Sequence, residues 1–205
     1  MALWSLACRR LGKRFGERWV FRGLELQISS GTVLVARGTN GSGKSTFIKL
    51  LAGLIAPTEG EIVLRRAGSP IADRTRLLGW CAADGALYRE LTGYEHLRWW
   101  AQTRGLPDRP DALMAQLDRF ELAHRAHDWT RAYSTGMRQR LRMAIAAYGE
   151  PPLLLLDEPD AGLDSSGLKL LKQVLDEQAH RGIAVFATNR AECAAWGSLT
   201  LELGA

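Results

Sequence analysis

The stretch Val33-Leu34-Val35-Ala36-Arg37-Gly38-Thr39-Asn40-Gly41-Ser42-Gly43-Lys44-Ser45-Thr46 reads as an apolar strand, a glycine-rich turn and the start of a helix. From Gly38 onward it fits G-x-x-x-x-G-K-[ST], in the strand–loop–helix setting the pattern requires. Gly41 and Gly43 let the backbone turn tightly, so that successive N–H groups point into one concavity. The helix starting near Lys44 adds its positive end. Lys44 is expected to reach the β- and γ-phosphates of a nucleotide, and the Ser45 hydroxyl to ligate Mg²⁺. Gly38, Thr39, Asn40, Ser42 and Thr46 complete the cradle. A mere turn before a helix has no use for a lysine followed by two hydroxyls.

About 110 residues further on, Leu153-Leu154-Leu155-Leu156-Asp157-Glu158-Pro159 is an apolar strand that ends in two carboxylates. A buried parallel strand delivers its C-terminal residues to the ligand crevice. Asp157 is expected to hold the metal, through water, and Glu158 to polarise an attacking water as general base. Alone, this strand end could be a solvated acidic turn. With the cradle upstream, the paired reading is the stronger one.

The rest of the chain supplies alternating elements. Leu3 to Ile28 reads as short strands with a turn at Phe15-Gly16-Glu17. A helix is expected from Ser45 toward Leu54, stopping at Gly53. Pro57-Thr58-Glu59-Gly60 is turn chemistry before a strand from Glu61 to Leu64. Leu78 to Cys81 reads as a strand. Thr92 to about Ala147 is helical, with breaks at Gly105-Leu106-Pro107 and near Tyr133 to Gly136. Ser165 to Ala179 is a helix, Ile183 to Ala187 a strand, and Leu199 to Leu203 a last strand. The pattern predicts an α/β fold with a mostly parallel core sheet covered on both faces. An N-terminal β region precedes it, and residues 88–147 form a helical insert between core segments 1–87 and 148–205 of a single domain.

Composition removes several classes. The 205 residues are 46% hydrophobic and 24% charged, an ordinary globular mixture. No apolar run approaches the roughly 18 residues of a spanning helix. The first eight residues precede a basic cluster, the reverse of a signal peptide's charge order. Cys8, Cys81 and Cys193 are scattered, which predicts three small buried hydrophobes and neither a disulfide framework nor a zinc site. The net charge of +5 is too weak to support nucleic-acid binding by itself.

Tyr133-Ser134-Thr135-Gly136-Met137-Arg138-Gln139-Arg140 resembles the signature motif of ATP-binding-cassette (ABC) ATPases, in an S-x-G-M-x-Q-R variant. Asp157-Glu158-Pro159 and Ala161-Gly162-Leu163-Asp164 resemble that family's Walker B motif and D-loop. Phe15 stands where its adenine-stacking aromatic lies. The resemblance covers essentially the whole chain. It implies a P-loop NTPase of ABC type, with an antiparallel N-terminal β region, binding ATP and Mg²⁺. It further implies a homodimer or heterodimer of cassettes meeting head to tail. Each ATP would lie between the Lys44 loop of one cassette and Ser134, Thr135, Gly136 and Met137 of the other. Closure on ATP would drive an integral membrane permease subunit, which places the chain peripherally on the cytoplasmic face of the cell membrane.

Two departures bear on rate. The family's glutamine after the Leu78–Cys81 strand is replaced by Ala83, followed by Asp84. Its usual histidine after the last core strand is replaced by Asn189, which can hydrogen-bond to a γ-phosphate but cannot carry charge. These predict slow hydrolysis that retains nucleotide-driven closure. Leu91 to Leu97 and the signature variant resemble export-type cassettes, most of all the short ATPases of the haem exporter of cytochrome c maturation. Cargo is not legible, and drug, lipid or polysaccharide export stays open. Tyr88, Trp99 and Trp100 are either anchors for a helix of the membrane subunit or packing inside the insert. His124 and His127 read as a solvated helix face. The rival readings are a soluble P-loop kinase, a DNA- or ribosome-acting ATPase, and a regulatory cassette that binds ATP without turnover.

Overall fold

Leu34 and Val35 are neighbours in sequence and point into different cores, and this alternation organises the molecule. The protein is described by a computed structural model, covering residues 3–82 and 85–204. A parallel sheet has the order β6-β7-β8-β3-β9, from β3 (Val33–Arg37), β6 (Leu78–Cys81), β7 (Leu153–Asp157), β8 (Ile183–Ala187) and β9 (Leu199–Glu202). An antiparallel sheet has the order β2-β1-β4-β5, from β1 (Trp4–Phe15), β2 (Arg18–Ser29), β4 (Glu59–Arg66) and β5 (Ser69–Pro70). Leu34, Leu153, Leu155, Ile183 and Val185 face one way, toward α1 (Lys44–Ala52) and the antiparallel sheet's Leu6, Leu11 and Leu64. Val33, Val35, Leu154, Leu156, Ala184 and Phe186 face the other way. There they join α2 (Gly93–Arg104), α3 (Pro110–Arg119), α4 (Thr135–Ala147) and α5 (Ser165–Arg181) in one continuous core. The central strands β3, β7 and β8 are buried on both faces, which is why they read as apolar runs, whereas the edge strand β9 is mostly exposed and alternates.

Strand order sets the site. β7, β8 and β3 are consecutive neighbours, and Asp157, Ala187 and Ala36 stand level across them. The three C-terminal ends therefore open side by side, one into Glu158, one into Thr188-Asn189 and one into the glycine turn.

The helices begin where local chemistry allows. Thr92 and Glu95 cap α2 reciprocally: Glu95 N–H donates to Thr92 Oγ1 at 3.1 Å and Thr92 N–H donates to Glu95 Oε2 at 2.8 Å. Gly79 lets β6 lie against α4, because a Cβ there would stand 1.8 Å from the Ala146 carbonyl oxygen.

Several expected boundaries move. The short strands expected over 3–28 are two 12-residue strands paired as a hairpin, with register shifts between Cys8 and Leu11 and again before Arg14. The bulges break the apolar alternation that would have shown their length. β4 starts at Glu59 rather than Glu61, and takes in Gly60 at φ 78°, where a Cβ would meet the carbonyls of Arg9 and Arg10 at 2.3 Å. The first helix stops at Ala52, with Gly53 as its left-handed cap, and β9 ends at Glu202. Thr92 to Ala147 holds three α-helices and two 3₁₀ turns. His124 and His127 are exposed, as expected, but His124 lies on a 3₁₀ turn and His127 packs on Tyr94 with ring centroids 5.3 Å apart. All three cysteines are buried, and burial pushes the Cys8 and Cys81 thiols up to about 12, so neither is a nucleophile. Among the described residues, no helix is long and apolar enough to cross a membrane.

Candidate functional site

The glycine turn is built from two close approaches. At Gly38 a Cβ would lie 2.3 Å from the Leu203 carbonyl oxygen, and at Gly43 one would lie 2.4 Å from Val20 Cγ1. Both residues also have positive φ, 147° and 103°, so only glycine meets both demands. Gly41, at φ 82°, has open space around it and is needed for conformation alone. Not every N–H opens into the concavity: Ser42 N–H is turned back to the Thr39 carbonyl at 3.1 Å. The Ser42 hydroxyl is buried with no hydrogen-bond partner among the described residues. Lys44 is 6% exposed, and its Nζ donates to the carbonyls of Gly38 at 2.8 Å and Thr39 at 3.0 Å. Its ammonium thus lies across the mouth of its own turn, where phosphate oxygens could replace those carbonyls.

The acidic strand end meets this turn from the side. Ser45 Oγ donates to Asp157 Oδ1 at 3.1 Å. A hydroxyl beside a carboxylate is a hard-oxygen donor pair, and it suits Mg²⁺ completed by phosphate and water. Among the described residues no cluster of three His, Cys, Asp or Glu side chains offers an all-protein cage. Glu158 has φ 47°, an uncommon conformation for a residue with a side chain. Asn189 Nδ2 donates to Glu158 Oε1 at 3.0 Å.

One open cleft of about 680 Å³ gathers Phe15, Asn40, Gly41, Gly43, Lys44, Ser45, Thr46, Glu158 and Asn189. Phe15 is exposed at its rim, with Lys13 Nζ 4.9 Å from the ring centroid. The signature residues are elsewhere. Ser134 caps α4 by accepting the Met137 N–H at 3.1 Å, and Ser134 and Thr135 are exposed outside the cleft. Ala83 and Asp84 lie outside the described residues.

Some residues in and around the site were not legible in the sequence. Arg18, Trp19 and Val20 also line the cleft, from the second strand of the hairpin. Trp19 stacks with the guanidiniums of Arg14 and Arg22, at 5.5 and 4.8 Å. Only the hairpin pairing, Phe15 with Arg18 and Arg14 with Trp19, brings them there. Gln139 is buried in α4 and donates to the carbonyls of Glu158 at 3.3 Å and Pro159 at 3.1 Å. It ties the signature helix to the acidic turn. A glutamine on the inner face of a helix was the available signal.

A second, apolar groove of about 140 Å³ lies between β6 and α2. Tyr88, Trp99 and Trp100 line it, with Tyr88 and Trp99 edge to face at 6.0 Å and both exposed. Its floor includes His96, whose Nε2 accepts the Tyr88 N–H at 2.9 Å while Nδ1 lies 2.8 Å from the Thr92 carbonyl. Burial holds the His96 pKa below its usual value, against the opposing pull of the Thr92 carbonyl and Glu95, so the ring stays neutral and can accept that bond.

A family model described as ABC transporter matches residues 21–161. The cytochrome c biogenesis ATP-binding export protein CcmA of Cupriavidus necator is 35% identical over 189 residues, 90% of this chain and 82% of that protein. The aliphatic sulfonates import ATP-binding protein SsuB of Pseudomonas entomophila is 37% identical over 83% of this chain and 61% of its own length. Among solved structures, the ATP-binding subunit of an ABC transporter superposes with a TM-score of 0.84 at 30% identity, over 97% of this chain and 85% of that one. The dimeric bacterial ABC transporter cassette MJ0796 shares the fold with a TM-score of 0.82 at 24% identity, over 97% and 94% of the two chains.

Proposed function

Because this chain belongs to the ABC transporter family, as an ATP-binding and ATP-hydrolysing subunit, we propose that two cassettes close head to tail around ATP. The observation that carries this is a division of the site. The cleft of one chain holds Phe15, the glycine turn, Glu158 and Asn189, while Ser134 to Met137 lie outside it, with Ser134 and Thr135 exposed and Gly136 and Met137 half-buried. A single copy therefore offers only part of the constellation, and the start of α4 offers a second anion-binding end to a partner.

In this reading Phe15 stacks on the adenine. Backbone groups of residues 38–43 and the Lys44 ammonium hold the phosphates. Ser45 and Asp157 would hold Mg²⁺, which would offset the charge of the phosphates. Glu158 takes a proton from the water that attacks the γ-phosphorus as the bond to the ADP oxygen breaks. Asn189 orients that centre with a neutral donor. Without an ionisable switch residue, turnover is slow and closure is retained. The core of residues 1–87 and 148–205 forms one lobe, and the insert of residues 88–147 carries the signature.

The membrane subunit docks at the aromatic groove from the cytoplasmic side. The exposed Tyr88 and Trp99 are its anchors. In a cell fraction, Tyr88→Ala combined with Trp99→Ala should release the chain from membranes to the soluble fraction while leaving ATP affinity within about twofold. Undiminished membrane association of that variant would count against the groove.

The cargo we propose is haem for cytochrome c biogenesis. The support is the pair of Cupriavidus proteins named as cytochrome c biogenesis ATP-binding export proteins, which match 90% of this chain and 82% and 89% of their own lengths. Deleting the chain from its host should abolish haem-stained c-type cytochromes on a gel, with recovery on re-expression. Normal cytochrome c in the deletion would exclude this cargo and leave the cassette assignment intact.

A further inference from the structure

We propose that Asp160 and Thr188 are positioning residues for ATP hydrolysis. They fix from beneath the loop that presents Asn189 to Glu158. The inference rests on the assignment of Glu158 and Asn189 to the hydrolytic site.

Asp160 is 5% exposed and Thr188 2% exposed. Thr188 Oγ1 donates to Asp160 Oδ2 at 2.9 Å, and accepts the Arg190 N–H at 3.0 Å. The hydroxyl is thus held from both sides, with its proton directed at the carboxylate. Two residues before Asp160, the Glu158 side chain accepts from Asn189, the residue after Thr188. The bonds close a ring. It runs from the Glu158 carboxylate to the Asn189 amide, back along the chain to Thr188, through its hydroxyl to Asp160, and through Pro159 to Glu158 again. The Glu158 N–H donates to the Ala187 carbonyl at 3.0 Å and braces the ring across its middle. Gln139 holds the outer carbonyls of the same turn.

Stability alone does not call for this arrangement. A carboxylate at this depth is costly to bury, and Asp160 Oδ1 has no hydrogen-bond partner among the described residues. An apolar side chain would fill the place without that cost. What the carboxylate provides is direction. It sets the Thr188 side chain, and through it the backbone that aims Asn189. The Asn189 amide has two hydrogens. One is donated to Glu158, and the second is available to a phosphate oxygen only while the loop keeps its place. A displacement of about 1 Å at such a position can cost a hundredfold in rate.

Thr188→Val removes the hydroxyl and keeps the shape. In steady-state assays of the full chain, kcat should fall about tenfold or more while KM for ATP stays within about twofold. Thr188→Ser should recover most of the rate. In an Asn189→Ala background, Thr188→Val should cost less than about twofold further, because the strut then has nothing to aim. Amide hydrogen exchange at residues 188–190 should rise in Thr188→Val and not in Thr188→Ser. Wild-type kcat in Thr188→Val, unchanged exchange in that loop, or full multiplicative losses in the double variant would each overturn the proposal. Glu158→Gln serves as the control on its premise. If that variant turns over at the wild-type rate, the assignment of Glu158 fails. If it is slow while Thr188→Val is normal, only the role of Asp160 and Thr188 fails.

Discussion

Purified Glu158→Gln protein is expected to hydrolyse ATP at least about a hundredfold more slowly than the parent chain, the usual worth of a positioned general base. The substitution keeps size and removes the ability to accept a proton. Glu158 is well placed for the role. It follows the last residue of β7, its backbone is pinned by Ala187 and Gln139, and its carboxylate reaches into the cleft, where Asn189 holds one oxygen. ATP affinity should hold or improve, because a carboxylate facing a γ-phosphate repels it and an amide does not. Measuring steady-state phosphate release alongside ATP binding separates the two effects. A rate unaffected by the change would remove Glu158 from the mechanism.

The second large effect belongs to Lys44. Lys44→Ala should weaken ATP binding by about thirtyfold or more, as expected when one partner of a desolvated charge pair is truncated. The same change frees the carbonyls of Gly38 and Thr39, which the ammonium now bridges. A lower melting temperature without nucleotide is therefore also expected, and binding should be compared with that shift in hand. Titration with a fluorescent ATP analogue at a temperature where both proteins are folded gives the comparison. An affinity equal to the parent's would mean that the glycine turn does not hold the triphosphate.

The parts of this molecule that were legible in its sequence share a physical cause. Strands β3, β7 and β8 are buried on both faces, so each must be apolar throughout and stops abruptly at polar residues. Those stops are the glycine turn, Asp157-Glu158 and Thr188-Asn189, and they border the candidate site. The hairpin was harder. Its strands face the core on one side only and carry bulges, so the alternation slips and their length was underestimated. For the same reason Arg18, Trp19 and Val20 could not be assigned to the cleft, since cross-strand neighbours depend on register. Gln139, Asp160 and Thr188 were visible as letters, but their hydrogen bonds join segments 20 and 28 residues apart. No local pattern encodes such contacts.

In the proposed reading, the departures from the family pattern at Ala83 and Asn189 bear on rate and not on whether two cassettes meet. The proposed dimer depends on the shared nucleotide, and Glu158→Gln isolates that feature by blocking its loss. The decisive measurement is the mass of this variant by light scattering during gel filtration, in saturating ATP with Mg²⁺ and again in ADP. The expected result is about twice the 22.7 kDa chain mass in ATP and the single-chain mass in ADP. A mass of 22.7 kDa in both nucleotides would contradict it.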